Sequence, residues 1–149
     1  MTAVTGDPVV HDRRTPELEP ETLLGLLALR VDVFVVEQQC AYREIDGRDN
    51  EAGTRHLWID DRRGLPVAYL RLLDDGAARR IGRVVTRHDH RRRGLADLLV
   101  RRAVATSEAP WVLDAQAHLE GWYEALGFAR TGDAYLDDGI PHVPMRRDA

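Results

Sequence analysis

Lysine is absent from this 149-residue chain, whose 21 basic residues are all arginine. No side-chain ammonium can therefore act as a nucleophile or form a Schiff base, while planar guanidinium groups remain available for phosphate. Cysteine is nearly absent. Cys40 stands alone, which excludes an internal disulfide and any zinc or iron–sulfur site built from several thiolates. No apolar run approaches the ~18 residues of a membrane span, and the first turns of the chain hold no apolar signal-peptide core. We expect a cytoplasmic protein with no membrane partner. Basic charge is not in excess either. A net charge of −4 argues against a general nucleic-acid binder, which carries a broad basic surface.

What is present is an ordinary soluble balance, 44% hydrophobic and 31% charged residues, in a length that suits one domain with its own core. Residues 1–6 are small and polar and read as a flexible tail, leaving a single domain over 7–149. Val9 to Arg13 has the weak pattern of an edge strand. Pro20, Glu21 and Thr22 suit a helix start, and Leu23, Leu27, Val31 and Phe34 recur at helical spacing, with Leu24, Leu26 and Leu29 widening the apolar face until the helix reads as buried. Val31 to Val36 alternates well enough for a strand, so local pattern leaves its state open. Glu37 to Gly53 reads as a long acidic loop. Its Glu44, Asp46 and Asp49 either attract a cationic amine or form a solvated acidic face.

His56 to Ile59, Val67 to Leu73 and Arg80 to Thr86 read as three consecutive antiparallel strands, joined by turns at Gly64 to Pro66 and at Asp74 to Gly76. A helix follows from Gly94, with Leu95, Leu98, Leu99 and Ala103 on one face, and Trp111 to Ala115 reads as the next strand. Strand, helix and strand in that order imply a right-handed crossover to a parallel neighbour. His118 to Leu126 has a second helical pattern, closed by Gly127. Phe128 to Thr131 and His142 to Arg146 complete the sheet, linked across Asp137 to Gly139. The sum is an α+β domain.

The arginine-rich turn is the chemical centre of this pattern. Arg91, Arg92 and Arg93 stand directly before Gly94, Leu95 and Ala96 at a helix N-terminus, where unpaired N–H groups and partial positive charge favour a phosphate. This Arg-x-x-Gly-x-Ala pattern between strand and helix resembles the motif by which GNAT-superfamily N-acyltransferases hold the pyrophosphate of acetyl-CoA. Glu120 to Phe128 resembles the second signature of that superfamily, a helix whose Tyr123 lies four residues before the Gly127-Phe128 pair. Val33 to Gln38, Asp46-Gly47, Arg55-His56, Ile81 to Val84, Ala115 to His118 and Asp138 to His142 resemble its ElaA-like branch.

The resemblance implies a mixed sheet of six to seven strands flanked by about four helices, in which an antiparallel meander leads to a central parallel pair that splays apart for CoA. It implies that Val31 to Val36 is helical, as the second of two short helices. It implies acetyl-CoA as co-substrate, without a metal, and an amine acceptor as partner, in a monomer or homodimer. Backbone N–H groups of Val84, Val85 and Thr86 would hold the thioester oxygen and pantetheine, Arg91 to Ala96 the diphosphate, and Gln116 the pantetheine amide. Tyr123 would protonate the departing thiolate. Many relatives carry a carboxylate base on the fourth strand; none stands between Arg80 and Thr86 here, so Glu37 and His118 are the candidate bases. His142 and Asp138 could line the acceptor side. The expected activity is N-acetyl transfer; a non-catalytic acyl-CoA-binding protein of the same fold is the alternative.

Overall fold

The computed structural model describes residues 8–40 and 42–149, so the expected tail over residues 1–6 lies outside the described residues. The first strand, β1 (His11–Arg14), forms one edge of the sheet. It pairs antiparallel with β2 (Arg55–Asp60), and β3 (Pro66–Asp74) and β4 (Arg79–Thr86) continue the meander. The α2 helix (Leu95–Ala105), numbered after α1 (Pro20–Arg30), crosses over to β5 (Trp111–Gln116), which runs parallel to β4. The α3 helix (Glu120–Ala125) then leads into β6 (Ala129–Arg130), β7 (Tyr135–Asp137) and β8 (Ile140–Arg147). The sheet order is β1-β2-β3-β4-β5-β8-β6, with β7 also paired to β8.

Eight strands and three α-helices are thus described, where the resemblance implied six to seven strands and about four helices. The strand that escaped notice is β7, all three of whose residues are exposed, so it presents no buried alternating face to read. Its hairpin is well encoded. Asp138 and Gly139 both adopt positive φ, 50° and 75°, between the paired Asp137 and Ile140, the backbone that a two-residue type I′ turn demands of an Asp-Gly pair.

Two apolar layers flank the sheet. Leu95, Leu99, Val100 and Ala103 of α2 pack with Tyr123 and Leu126 against Leu57, Leu70, Leu113 and Met145 on one face. Leu26, Leu29, Val33 and Phe34 pack on Trp58, Tyr69 and Val85 on the other. Each such side chain taken from water contributes roughly 1.5–3 kcal/mol. The α1 helix is less buried than its leucine content suggests: Leu24 is 66% exposed, and the buried stripe is Leu26, Leu29 and Arg30.

Past Arg30 the helix continues without a break into Val31–Glu37 but widens to the π form, with Gln38 N–H donating to the Val33 carbonyl at 2.8 Å. The expected second short helix is therefore an extension of the first. β-branched Val31, Val33, Val35 and Val36 crowd an α-helical turn, which agrees with helix form being kept in a wider coil. Glu37 is thereby delivered to Arg91, in the turn that follows β4.

Candidate active site

The parallel pair β4–β5 is in register only at Arg79 with Trp111 and Arg80 with Val112. Beyond those residues the two edges part. Opposite β3, the pairing skips from Arg71 with Gly82 to Tyr69 with Val85, so Leu70 faces both Arg83 and Val84 across a bulge. Arg83 takes the strain, at φ 54°, and a bulge of this kind turns backbone groups out of the ladder. Its guanidinium is clamped by Glu44 Oε2 at 2.6 Å and Asp46 Oδ2 at 3.3 Å, and lies 5.4 Å over the Tyr42 ring.

A cavity of about 360 Å³ fills the gap. Val84 and Gly82 of β4, Asp114 and Gln116 of β5, and Tyr123 of α3 line it, with Tyr135, Asp137 and His142 at the hairpin side. Tyr123 is 5% exposed, and its hydroxyl has no hydrogen-bond partner among the described residues. Burial raises its pKa above the ordinary phenol value, so the hydroxyl holds its proton. The Gln116 amide donates to Gln38 Oε1 at 3.1 Å, joining the loop after the π segment to β5 across the cavity mouth.

Beyond β4 lies the helix start. Arg92 and Gly94 adopt φ of 64° and 74°, and no side chain caps α2. Uncapped first-turn N–H groups carry partial positive charge, and positive-φ turns of this kind can aim further amides at an anion. Arg91 is committed elsewhere: its Nε donates to the Thr86 carbonyl at 3.0 Å and its Nη2 to Glu37 Oε2 at 2.7 Å. Arg93 reaches the Asp89 carbonyl at 3.3 Å, and Arg92 makes no side-chain hydrogen bond among the described residues. Leu95 turns its side chain into the core, leaving its backbone at the turn.

A buried ionic cluster supports the wall opposite β5. Arg30, fully buried, donates to Glu44 Oε2 from Nε at 3.0 Å and Nη2 at 2.8 Å, and to Asp49 Oδ1 at 2.6 Å. Arg71 grips Asp46 with two bonds of 2.8 and 3.0 Å and reaches Asp49 at 3.3 Å. Burial alone would raise the Asp46 and Asp49 carboxyls, but the guanidinium bonds from Arg71 and Arg30 outweigh it and hold both below the usual carboxylate range. Glu44, Asp46 and Asp49 are thus neither a lure for cationic amines nor a solvated face. They are internal counterions that fix the loop.

A family model described as an acetyltransferase (GNAT) domain matches residues 16–149. The chain belongs to the GNAT acetyltransferase family. Among GNAT relatives, protein ElaA of Escherichia coli is 38% identical over 148 residues, 93% of this chain and 95% of that protein. Its crystal structure superposes with a TM-score of 0.88, covering 95% and 99% of the two chains at 36% identity. A crystal structure described as an acyl-CoA N-acyltransferase from Pseudomonas aeruginosa is 40% identical, with a TM-score of 0.89 and coverage of 95% and 99%. A UPF0039 protein of Mycobacterium tuberculosis is 47% identical over 136 residues, 88% of this chain and 87% of that protein. The ElaA-like resemblance and the α+β GNAT fold both hold.

Set against this GNAT framework, the residues singled out in the sequence divide. Val84, Gln116 and Tyr123 meet at the cavity, and Gly94 to Ala96 open α2 where expected. The Val85 side chain packs under α1, and Thr86 ends β4 with its carbonyl accepting from Arg91; neither contact involves the backbone N–H groups expected to face the co-substrate. The two candidate bases are not placed alike. Glu37 is ion-paired with Arg91, and His118 is exposed on the turn before α3 without lining the cavity. At the hairpin, Asp137 rather than Asp138 joins His142 on the cavity wall. Period-two alternation on β8 was the available signal, because buried Val143 and Met145 force His142 to the opposite face.

Proposed function

We propose that this protein is an acetyl-CoA-dependent N-acetyltransferase that moves an acetyl group to a primary amine of a small molecule or peptide by direct attack. The observation that carries the reading is the opening between β4 and β5, with Tyr123 on its wall, together with the uncapped start of α2 that follows β4 in the chain. The residues present fit the co-substrate. The turn at Arg92 to Ala96 suits its diphosphate, and the free edges of β4 and β5 offer backbone groups to the extended pantetheine amides. Acetyl-CoA supplies the activated thioester.

The chain's own groups then have distinct tasks. Backbone N–H groups turned outward at the Arg83–Val84 bulge stabilise charge developing on the thioester oxygen. Tyr123, buried and protonated on the cavity wall, donates a proton to the departing sulfur in this reading. Gln116, already bonded to Gln38, holds the loop against β5 so that the acceptor side stays shaped. The competing reading, a non-catalytic acyl-CoA-binding protein, draws on β4 lacking a carboxylate and on Glu37 being occupied by Arg91. Purified protein incubated with acetyl-CoA and a panel of primary amines, with free thiol followed, separates the two. Amine-dependent thiol release is expected; acetyl-CoA binding without release for any amine would favour the binding protein.

A further inference from the structure

The cavity wall carries one imidazole, and its tautomer can be worked out. His142 Nδ1 lies 2.8 Å from the Ile140 carbonyl oxygen. A carbonyl only accepts, so Nδ1 is the donor, and in the neutral ring the lone pair is left on Nε2. Stacking on Tyr135, at 6.0 Å between ring centroids and 26° between planes, fixes the ring's tilt. His142 pairs with Gln116 of β5 and with Tyr135 of β7, and it lines the cavity together with both.

Its place in the sheet adds a second argument. Val143 and Met145 of β8 and Tyr123 of α3 belong to the core on the α2 side. Strand alternation therefore puts His142 on the other face, with Asp114 and Gln116 of β5. The gap between β4 and β5 joins the two faces, so Tyr123 and His142 line the one cavity from opposite sides of the sheet.

We propose that His142 is the general base of the reaction, with Nε2 removing the proton from the acceptor ammonium; this rests on the acyl-transfer reading above. The amine nitrogen gives its proton to Nε2 and forms the C–N bond to the acetyl carbon. As the C–S bond breaks, the sulfur keeps the electron pair and takes a proton from the Tyr123 hydroxyl. The nitrogen's second surplus proton leaves with the collapse of the tetrahedral intermediate and restores the phenol, and imidazolium returns its own to water. Asp114 of β5 and Asp137 of β7 face the same cavity and favour the imidazolium that forms. Arg80, bonded to Asp114 at 2.9 Å, and Arg43 and Arg83 oppose it. Tyr123 is held protonated by burial and Tyr135 by partial desolvation with the Asp114 carboxylate beside it, so neither competes for this role.

The test compares wild type with His142→Gln, using acetyl-CoA with the best substrate from a panel of n-butylamine, spermidine, glucosamine and a peptide N-terminus, and in parallel with hydroxylamine, which is largely unprotonated at neutral pH and needs no base. The variant should lose about 100-fold or more on the amine and lose the acidic limb of the wild-type kcat/KM profile. Its hydroxylamine turnover and its melting shift with acetyl-CoA should stay near wild type. Equal losses on both nucleophiles, or none on either, would overturn the assignment while leaving acyl transfer intact. A proton found on Nε2 rather than Nδ1 by nitrogen-15 NMR would overturn it independently. Wild type inert toward every nucleophile would remove the acyl-transfer reading and this proposal together.

Discussion

Lowering the pH from 7 to 4 should destabilise this protein through His56. The ring is fully buried on β2, with Nδ1 2.6 Å from the Tyr69 hydroxyl and Nε2 2.8 Å from Thr15 Oγ1. Thr15 has one hydroxyl proton and donates it to the Asp49 carbonyl. It must then accept from His56, which makes Nε2 the donor and leaves Nδ1 to accept from Tyr69. Every position of the neutral ring is satisfied, and a second proton on Nδ1 would force the Tyr69 hydroxyl to give up the bond it donates to the ring. Burial pushes the pKa down to about 4 from 6.5. The unfolded chain thus takes up the proton first. The ring's contribution is complete above pH 6.5, falls as the pH drops through the window, and is fully lost near 4, a change of about 3 kcal/mol at roughly 1.4 kcal/mol per pH unit. For a chain of this size that is roughly 2–4 °C of melting temperature for each kcal/mol. The depressed carboxyls of Asp46 and Asp49 act at lower pH, because their contribution is lost only below their unfolded value of 3.8. Urea unfolding of wild type and His56→Gln, measured from pH 7 to 4, is the assay. A wild-type curve that stays flat, or a variant with the same slope, would refute the reasoning.

Other perturbations have separate readouts. Arg30→Met should destabilise by about 3 kcal/mol, seen in chemical unfolding, because Glu44 and Asp49 would lose their fully buried counterion and keep only Arg83 and Arg71. Gly94→Val should abolish the melting shift produced by acetyl-CoA, which at 100 times the dissociation constant should reach about 2.7 kcal/mol in wild type, since a β-branched residue resists φ of 74°. Tyr123→Phe should keep that shift but slow thiol release by about 100-fold; unchanged turnover would end its role as proton donor.

Local chemistry was legible in the sequence wherever neighbouring residues carry it. Arg91 to Ala96, the Tyr123 to Phe128 run and the Asp138-Gly139 turn each encode their backbone within a few residues, and all three stand where expected. The ionic cluster was not legible. Arg30, Glu44, Asp49 and Arg71 are separated by up to 41 positions, and each carboxylate, taken alone, resembles a surface charge. Only the packing of α1 on the sheet shows that they neutralise one another. His142 was nearly legible, since alternation gives its face, but its hydrogen bond to the Ile140 carbonyl, which selects the tautomer, depends on the hairpin backbone.

The short seam between β4 and β5 has a mechanical consequence. With the ladder between them confined to Arg79–Trp111 and Arg80–Val112, the sheet consists of two wings, β1 to β4 and β5 to β8, hinged at one end. The Arg80–Asp114 and Gln38–Gln116 bonds are the side-chain latches farther along. Amides on the facing edges have no strand to protect them, so they should exchange with solvent faster than those in the β2–β3 ladder. A molecule lying in the wedge and bonding to both edges would then serve as a missing strand, coupling the two wings into one cooperative unit for as long as it stays.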